Sequence, residues 1–510
     1  MSVFGIDLGT TNSCVAVIGE DGQPTIIKNI DDEYTTPSII FFDDFGSPYV
    51  GKEAKASRKS DPDRSVSFIK REMSNPRYKV RIDSQEYTPI ELSAIILKKV
   101  VDDANEQRSY DGLPPIRRAV VTVPAYFGND EREFTRQAGE IAGIEVLGLL
   151  NEPTAAALSY GARGLEGKTF MVYDLGGGTF DVSIMRMKGG NLETISTDGD
   201  HKLGGVDWDK AIIDYALIKA GIDETFDDLM SSSDPQKRKD AIRMLEPAEN
   251  CKKLLSRSEA VKMQFIYRKS PYVVDIRRSE FEELTADLLE NTMNIVEKAI
   301  KIAPAHYNLK KSDIEEIILV GGSSYMPMVK QRIQKDFTCK VILDRFEPDR
   351  AIAKGAAIHA ANLVGNQAGP HLEDKGSRSY GFEVITNEGE LKVENVVRRT
   401  DPLVYSGVAN FSTSAETSSV KLTLYENLGA DNSLLEISDC KKIDEKILSL
   451  GKTVPKGVPV VAHVSRTQDG TVTIWVECQG NRVDFKVEPH GMLDKRDAER
   501  FRKRLEGMNV

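Results

Sequence analysis

The chain has 510 residues, 40% hydrophobic and 29% charged, with a net charge of −11 and a pI near 5.4. Such a length holds roughly three or four domain-sized units, and the acidic balance argues against nonspecific nucleic-acid or anionic-membrane binding while leaving protein partners open. No apolar run approaches the ~20 residues that span a bilayer, no basic n-region opens the chain, and Cys14, Cys251, Cys339, Cys440 and Cys478 are scattered without a CxxC pair, so a disulfide framework or zinc site is disfavoured and a cytoplasmic setting is expected.

From the N-terminus, Phe4-Gly5-Ile6-Asp7-Leu8-Gly9-Thr10-Thr11 reads as an apolar strand that ends in Asp and turns through Gly and Thr into a second strand, Ser13–Ile18. Arg118–Val123 is another strand. The first pattern then returns as Met171-Val172-Tyr173-Asp174-Leu175-Gly176-Gly177-Gly178-Thr179, followed by a strand over Asp181–Met185. Glycine lets backbone N–H groups approach phosphate oxygens, Thr adds donors, and Asp beside a polyphosphate anchors hydrated Mg²⁺. Two copies in register suggest related lobes gripping one nucleotide from opposite sides.

Further along, a helix is expected from Ser279, with Glu282 completing a capping box and Phe281, Leu284, Leu288, Ile295, Val296, Ala299 and Ile302 as its core face. The strand Ile314–Val320 runs into Gly321-Gly322-Ser323 and a helix over Pro327–Phe337, whose N-terminus offers free N–H groups to a ligand. Near residue 365 the texture turns polar and Gly-rich, marking a linker (365–379) after an α/β region (1–364). Two-residue alternation then takes over. Val420, Leu422 and Leu424 form one set and Val472, Ile474 and Val476 another, preceded by an Asp469-Gly470 turn; Val483, Phe485 and Val487 give one more strand. This is a small antiparallel β-domain (380–490). In the last segment (491–510), Ala498, Phe501 and Leu505 share one helical face, and so short a helix needs something to dock on.

Asp7–Ser13, Val121-Thr122-Val123-Pro124-Ala125-Tyr126-Phe127, Asn151-Glu152-Pro153-Thr154-Ala155-Ala156-Ala157, Asp174–Asp181 and Leu319–Ser323 stand in an order and spacing that resemble the seventy-kilodalton heat-shock chaperone family, of which DnaK is the familiar member. The resemblance covers residues 3–364. It implies an α/β actin-like (duplicated ribonuclease-H-like) ATPase domain followed by a small antiparallel β-sandwich. It also implies ATP/ADP and Mg²⁺ as cofactors, with K⁺ a further candidate ion.

Carried over residue by residue, it implies that Asp7 and Asp174 orient Mg²⁺ through water. Gly9, Thr10, Thr11 and Asn12 would cradle the β- and γ-phosphates together with Gly176, Gly177, Gly178 and Thr179. Lys70, Glu152, Asp174, Thr179 and Asp181 would carry catalysis: Lys70 as the cation at the γ-phosphate, Thr179 touching it, Glu152 and Asp181 orienting the attacking water. Gly204, Gly205 and Asp207, with Glu249, Lys252, Lys253, Ser256, Gly321, Gly322, Ser323 and Asp349, would hold the ribose and base. Tyr325 stands where many members have an adenine-stacking Arg; it can stack without the cation. Pro247, just before Glu249, is expected to start or kink its helix. The stretch between Arg71 and Glu91 is shorter than in DnaK.

The β-domain resembles the family's peptide-binding sandwich less closely, through Tyr380–Ile385, Phe411–Ser414, Lys456–Pro459 and the Asp469-Gly470 hairpin. The resemblance implies a cleft for an extended apolar peptide lined by Phe382, Ile385, Phe411, Val420, Leu422 and Val461, against the alternative that these are sandwich core. Two family features are missing. The linker Gln367–Ser377 is polar, with Leu372 the only aliphatic residue beyond Ala368, so weak coupling between nucleotide state and peptide affinity is expected. The helical lid is absent beyond one short helix, so rapid peptide release is expected. Arg132 matches a position used for J-domain contact; a J-domain protein and a nucleotide exchange factor are candidate partners, beside unfolded or extended polypeptide. The leading expectation is a slow ATPase chaperone. The alternatives are a non-cycling ATP-binding scaffold or exchange factor for a full-length relative, a sugar kinase, which the NEPTAAALSYG segment and the β-domain argue against, and an actin-like filament former.

Overall fold

The computed structural model describes the chain apart from residues 1, 74, 76, 162–163, 344–348, 366–369, 430–432, 468–469, 488–490 and 509, and the side chains of 371 and 486. The linker residues Asn366–Gly369 and the hairpin residue Asp469 therefore lie outside the described residues.

Two sheets repeat one topology. In the first, β1 (Phe4–Asp7), β2 (Asn12–Ile18), β3 (Pro24–Ile27), β4 (Arg118–Val123) and β5 (Glu145–Asn151) lie in the order β5-β4-β1-β2-β3. Parallel pairing joins β5, β4 and β1, and antiparallel pairing joins β1, β2 and β3. The second sheet has β6 (Thr169–Leu175), β7 (Phe180–Lys188), β8 (Asn191–Asp200), β9 (Glu316–Val320), β10 (Lys340–Leu343) and β11 (His371–Glu373) in the order β10-β9-β6-β7-β8-β11, with the same alternation of parallel and antiparallel neighbours as far as β8. The fold class read from the motifs is the one observed: a duplicated actin-like α/β unit followed by a β-sandwich.

The two sheets meet beneath two helices, α1 (Glu152–Tyr160), which follows β5, and α2 (Ala351–Leu363), which follows β10. Their Ala-rich faces and Val120, Leu150, Phe170, Val172, Ile318 and Ile352 form a core that joins the lobes. The helices touch so closely that a Cβ at Gly355 would lie 1.7 Å from the Ala155 carbonyl oxygen. Backbone cannot retreat as a side-chain tip can, so Gly355→Ala is expected to destabilise the protein by about 3 kcal/mol, read as a lowered thermal midpoint.

Beyond the second sheet the described residues make eight antiparallel strands. β12 (Ser379–Ile385), β13 (Leu391–Val397), β14 (Tyr405–Ser412), β15 (Thr417–Asn427), β16 (Lys441–Val454), β17 (Pro459–Arg466), β18 (Val472–Cys478) and β19 (Asn481–Lys486) form two sheets, β13-β12-β15-β16 and β14-β17-β18-β19. Their inner faces close over one core that includes Phe382, Leu422, Leu424, Ile474, Val476 and Phe485.

Several local expectations change. The helix foreseen from Ser279 is two helices, Arg278–Leu284 and Ala286–Lys301. Its cap lies two residues earlier, where Glu280 accepts from the Arg277 N–H at 2.9 Å. The break falls at Thr285, whose hydroxyl donates back to the Phe281 carbonyl at 2.8 Å, and this leaves Leu284 exposed. Pro247 does not start its helix. That helix, α3 (Pro235–Leu255), begins under an Asp234 cap and runs through the proline.

The polar linker contains a strand, β11, that pairs in parallel with β8 through His371, Leu372 and Glu373. Main-chain pairing does not need the aliphatic side chains the sequence lacks. The C-terminal helix α4 (Lys495–Glu506) packs on the first lobe, burying Phe501 and Leu505 in that lobe's core beside Tyr87. Among the described residues no helix is long and apolar enough to cross a membrane.

Candidate functional site

The strand-ending aspartates and the turns after them face each other across a cleft of about 190 Å³. Local sequence sets each part. β1 and β6 are apolar and buried up to Asp7 and Asp174, and the turns that follow lead into β2 and β7. A Cβ on Gly177 would lie 2.3 Å from the Thr11 side chain, and one on Gly178 2.2 Å from that of Thr10. Only glycine at both positions lets the two turns meet this closely.

At the floor, Asp7, Lys70, Glu152, Asp174 and Asp181 are all buried. Lys70 sits on a short 3₁₀ turn, Ile69–Glu72, entered through Phe68 at φ 61°, and its ammonium ion-pairs with Glu152. Glu152 opens α1 directly after β5, with Pro153 presetting the first turn. Asp181 accepts from the Tyr126 N–H at 3.1 Å, and Asp7 from the Thr122 hydroxyl at 3.4 Å.

Four carboxylates around one ammonium cannot all ionise freely. Burial, then the Glu152 charge, raises Asp7 to about 7, against the pull of Lys70. Burial and Glu152 likewise raise Asp181 to about 8, and burial with Glu152, Asp181 and Asp7 pushes Asp174 well up. The unfolded carboxylates titrate near 4, so between about 4 and 8 the folded protein binds more protons than the unfolded chain. Stability of the nucleotide-free protein is therefore expected to fall as pH rises through that window. Asp181→Asn should flatten the slope in thermal melts from pH 5 to 8.

These side chains fit a hydrated Mg²⁺. The Asp174 Oδ2 is buried with no hydrogen-bond partner, and the cluster is short of positive charge. Among the described residues no group of three or more His, Cys, Asp or Glu side chains is placed to hold a metal ion directly.

The cleft is lined by most residues singled out in the sequence: Gly9, Thr10, Thr11, Asn12, Gly176, Gly177, Thr179, Glu249, Lys252, Lys253, Gly321, Gly322, Ser323 and Asp349, besides Asp7, Lys70, Glu152 and Asp174. Glu249 spans the mouth, held by Lys253 of its own helix at 2.6 Å and by Lys55 of the opposite lobe at 2.9 Å. Burial pulls Glu249 up, but the two ammonium groups win and bring it to about 2. Lys252 donates to the Gly205 carbonyl at 2.6 Å and pairs with Asp209 at 2.8 Å.

Seven expected residues are not on the cleft wall: Gly178, Asp181, Gly204, Gly205, Asp207, Ser256 and Tyr325. Gly204 abuts Gly178 behind the phosphate turn, Ser256 donates to the Lys252 carbonyl at the end of α3, and Tyr325 is 45% exposed. Two residues with clear roles were not assigned any in the sequence. Arg71 donates to the Gly178 carbonyl at 2.7 Å and pairs with Asp207 at 2.5 Å, tying the lobes together. Lys55 closes the mouth. Adjacency of Arg71 to Lys70 was the one available signal.

The peptide-cleft expectation changes most. Phe382 and Leu422 are sandwich core, Phe411 and Val420 pack partly against it, Val461 is half-buried, and Ile385 is 56% exposed. Phe382 and Leu422 are held by packing such as the Phe382–Phe485 contact at 5.2 Å, so a peptide could reach them only if the sandwich opened.

The β-domain and linker lie against both lobes. Asn129 donates to the Val487 carbonyl at 2.8 Å, Gln137 to that of Leu493 at 2.7 Å, and Arg399 pairs with Asp198 of the second lobe at 3.4 Å. Asp374 accepts from Asn151 at 2.7 Å and from the Thr154 hydroxyl at 2.9 Å, on either side of Glu152. Arg132 is buried, bonded to the Phe127 carbonyl and to Asn151, rather than a solvated surface residue.

A family model described as Hsp70 protein matches residues 3–78 and 72–509, nearly the whole chain. Twin phosphate turns, the buried Lys70–Glu152 pair between them and a β-sandwich joined by a paired linker strand agree with that match, and the chain belongs to the Hsp70 family.

Proposed function

We propose that the chain is an ATP-driven chaperone, hydrolysing ATP slowly and binding extended apolar stretches of polypeptide in its β-domain. Hsp70 proteins are in general ATPases that bind ATP or ADP with Mg²⁺ and act on unfolded polypeptide. The observation that carries the reading here is the buried Lys70–Glu152 pair at the floor of the cleft, ringed by Asp7, Asp174 and Asp181.

In this reading Asp7 and Asp174 hold Mg²⁺ through water, and the metal, when bound, offsets polyphosphate charge. The Gly9–Asn12 and Gly176–Thr179 turns offer N–H groups and hydroxyls to the phosphates. Lys70 supplies positive charge at the γ-phosphate, where negative charge shifts during transfer. Glu152 and Asp181 orient the attacking water. Glu249, Lys252, Lys253, Gly321–Ser323 and Asp349 surround the nucleoside, with Ser256 and Tyr325 set back from the cleft wall.

The linker's polarity pointed to a non-cycling scaffold or exchange factor. Pairing of β11 with β8 and the Asp374 contacts beside Glu152 weaken that second reading, because they give a docked linker contacts it would lose on release. Leu372 is the linker's main aliphatic contribution, so coupling is placed below what an aliphatic linker would give. Helix α4 packs on the first lobe and not over the sandwich, which favours rapid peptide exchange in both nucleotide states.

The test is single-turnover ATP hydrolysis with and without an apolar peptide, alongside peptide off-rates in ADP and ATP. Slow turnover that peptide accelerates, with fast release in both states, is expected. Turnover indifferent to peptide would favour the scaffold, and a long-lived ADP complex would refute rapid release. A J-domain protein or exchange factor would act on this cycle as a partner.

A further inference from the structure

Among the described residues, five cationic side chains line the nucleotide cleft: Lys55, Arg58, Lys70, Lys252 and Lys253. Four of them have a carboxylate. Lys55 and Lys253 share Glu249, Lys252 meets Asp209, and Lys70 meets Glu152. Arg58 is the exception. It follows the helix Lys52–Ser57 on the wall of the first lobe and is 5% exposed, yet among the described carboxylates none pairs with it.

The Arg58 guanidinium carries five N–H donors. Its side-chain hydrogen bond among the described residues is a 3.3 Å donation to the Ser67 hydroxyl. Glu246 and Glu249 act on it electrostatically, but Glu246 pairs with Lys59 at 3.2 Å and Glu249 is held by its two lysines. Burial in fact pulls the Arg58 pKa below the ordinary arginine value.

A buried cation with no counter-charge is costly, and such groups are normally paired. Among the described residues that counter-charge is missing. The cavity that Arg58 faces is the one bounded by the two phosphate turns, and a guanidinium fork matches phosphate oxygens better than any other basic group. We propose that Arg58 is a phosphate-binding residue of the nucleotide site, donating from the first-lobe wall to the polyphosphate of the bound nucleotide. Lys70 enters the cleft already held by Glu152, so among the described residues Arg58 is the uncommitted cation that an incoming polyphosphate meets. The inference rests on reading the cleft as a nucleotide site.

Titration calorimetry of ADP, ATP and adenosine, each with Mg²⁺, would test it on the full-length wild type, Arg58→Gln and Arg58→Lys. Arg58→Gln is expected to raise the ADP and ATP dissociation constants at least about tenfold while adenosine binding stays the same. Arg58→Lys should recover part of the loss. The nucleotide-free Arg58→Gln protein should melt no lower than wild type, because an uncompensated buried charge has gone. Unchanged ADP and ATP affinity, an equal loss for adenosine, or a lowered nucleotide-free melting point would each overturn the proposal, the last by making Arg58 a structural support. Wild-type protein that binds none of the three would overturn the nucleotide reading itself, a result distinct from wild type and variant binding alike.

Discussion

Lys70→Ala is expected to slow single-turnover ATP hydrolysis by about 10²–10³-fold while Mg²⁺–ADP binding survives, because a cation aimed at developing charge contributes most in the transition state. The same substitution acts on the free protein. Lys70 and Glu152 are each only 5% exposed, and removing one member of a buried pair leaves the other as an uncompensated charge, at a cost of about 3–5 kcal/mol. Glu152 would then stand among Asp7, Asp174 and Asp181 with no cation to offset them. Since Lys70 now pulls all three aspartates down, their proton affinities should rise further, and the loss of stability with rising pH should steepen. The double variant Lys70→Ala/Glu152→Gln separates the two effects: it should recover much of the melting temperature and none of the hydrolysis. A Lys70→Ala protein that hydrolyses at the wild-type rate would remove Lys70 from the reaction.

The phosphate turns were legible because each is a local pattern, an apolar strand ending in Asp and then Gly and Thr, and because the pattern occurs twice. The same holds for β4 and β9, whose apolar runs have no competing reading. Lys70 was identifiable only through its matched surroundings, since a lone lysine carries no signal of burial. Arg71 and Lys55 were missed because their partners, Asp207 and Glu249, lie more than a hundred residues away and are brought near by the closing of the lobes. The linker misled for a different reason. Composition reports side chains, whereas β11 is held by main-chain pairing with β8 and by one carboxylate. In the β-domain, alternation identified strands and left their core face open; the resemblance implied a cleft lined by Phe382 and Leu422, with sandwich core as the alternative, and both are buried inside the sandwich. The apolar face of α4 was visible, but its partner, the pocket beside Tyr87, was not.

Asp374→Ala is expected to undock the linker and abolish peptide stimulation of hydrolysis. The Asp374 carboxylate accepts from Asn151 and Thr154, which flank Glu152, and both donors are buried. Hydrogen bonds to a charged group contribute about 1.5–3 kcal/mol each, and the variant would also leave two buried donors unsatisfied. A loss of about 3 kcal/mol shifts the docking equilibrium roughly 10²-fold. Small-angle scattering should show a larger radius of gyration for the variant in ATP, and hydrolysis should become indifferent to peptide while nucleotide affinity is kept. Asp374→Asn, which retains one acceptor oxygen, should fall between. The alternative is that docking is carried by contacts outside the linker: Asn129 with Val487, Gln137 with Leu493, Arg399 with Asp198, and the burial of Phe501 and Leu505. If Asp374→Ala stays compact and peptide still accelerates it, those contacts hold the β-domain in place by themselves. The linker would then be a passenger in communication between the domains.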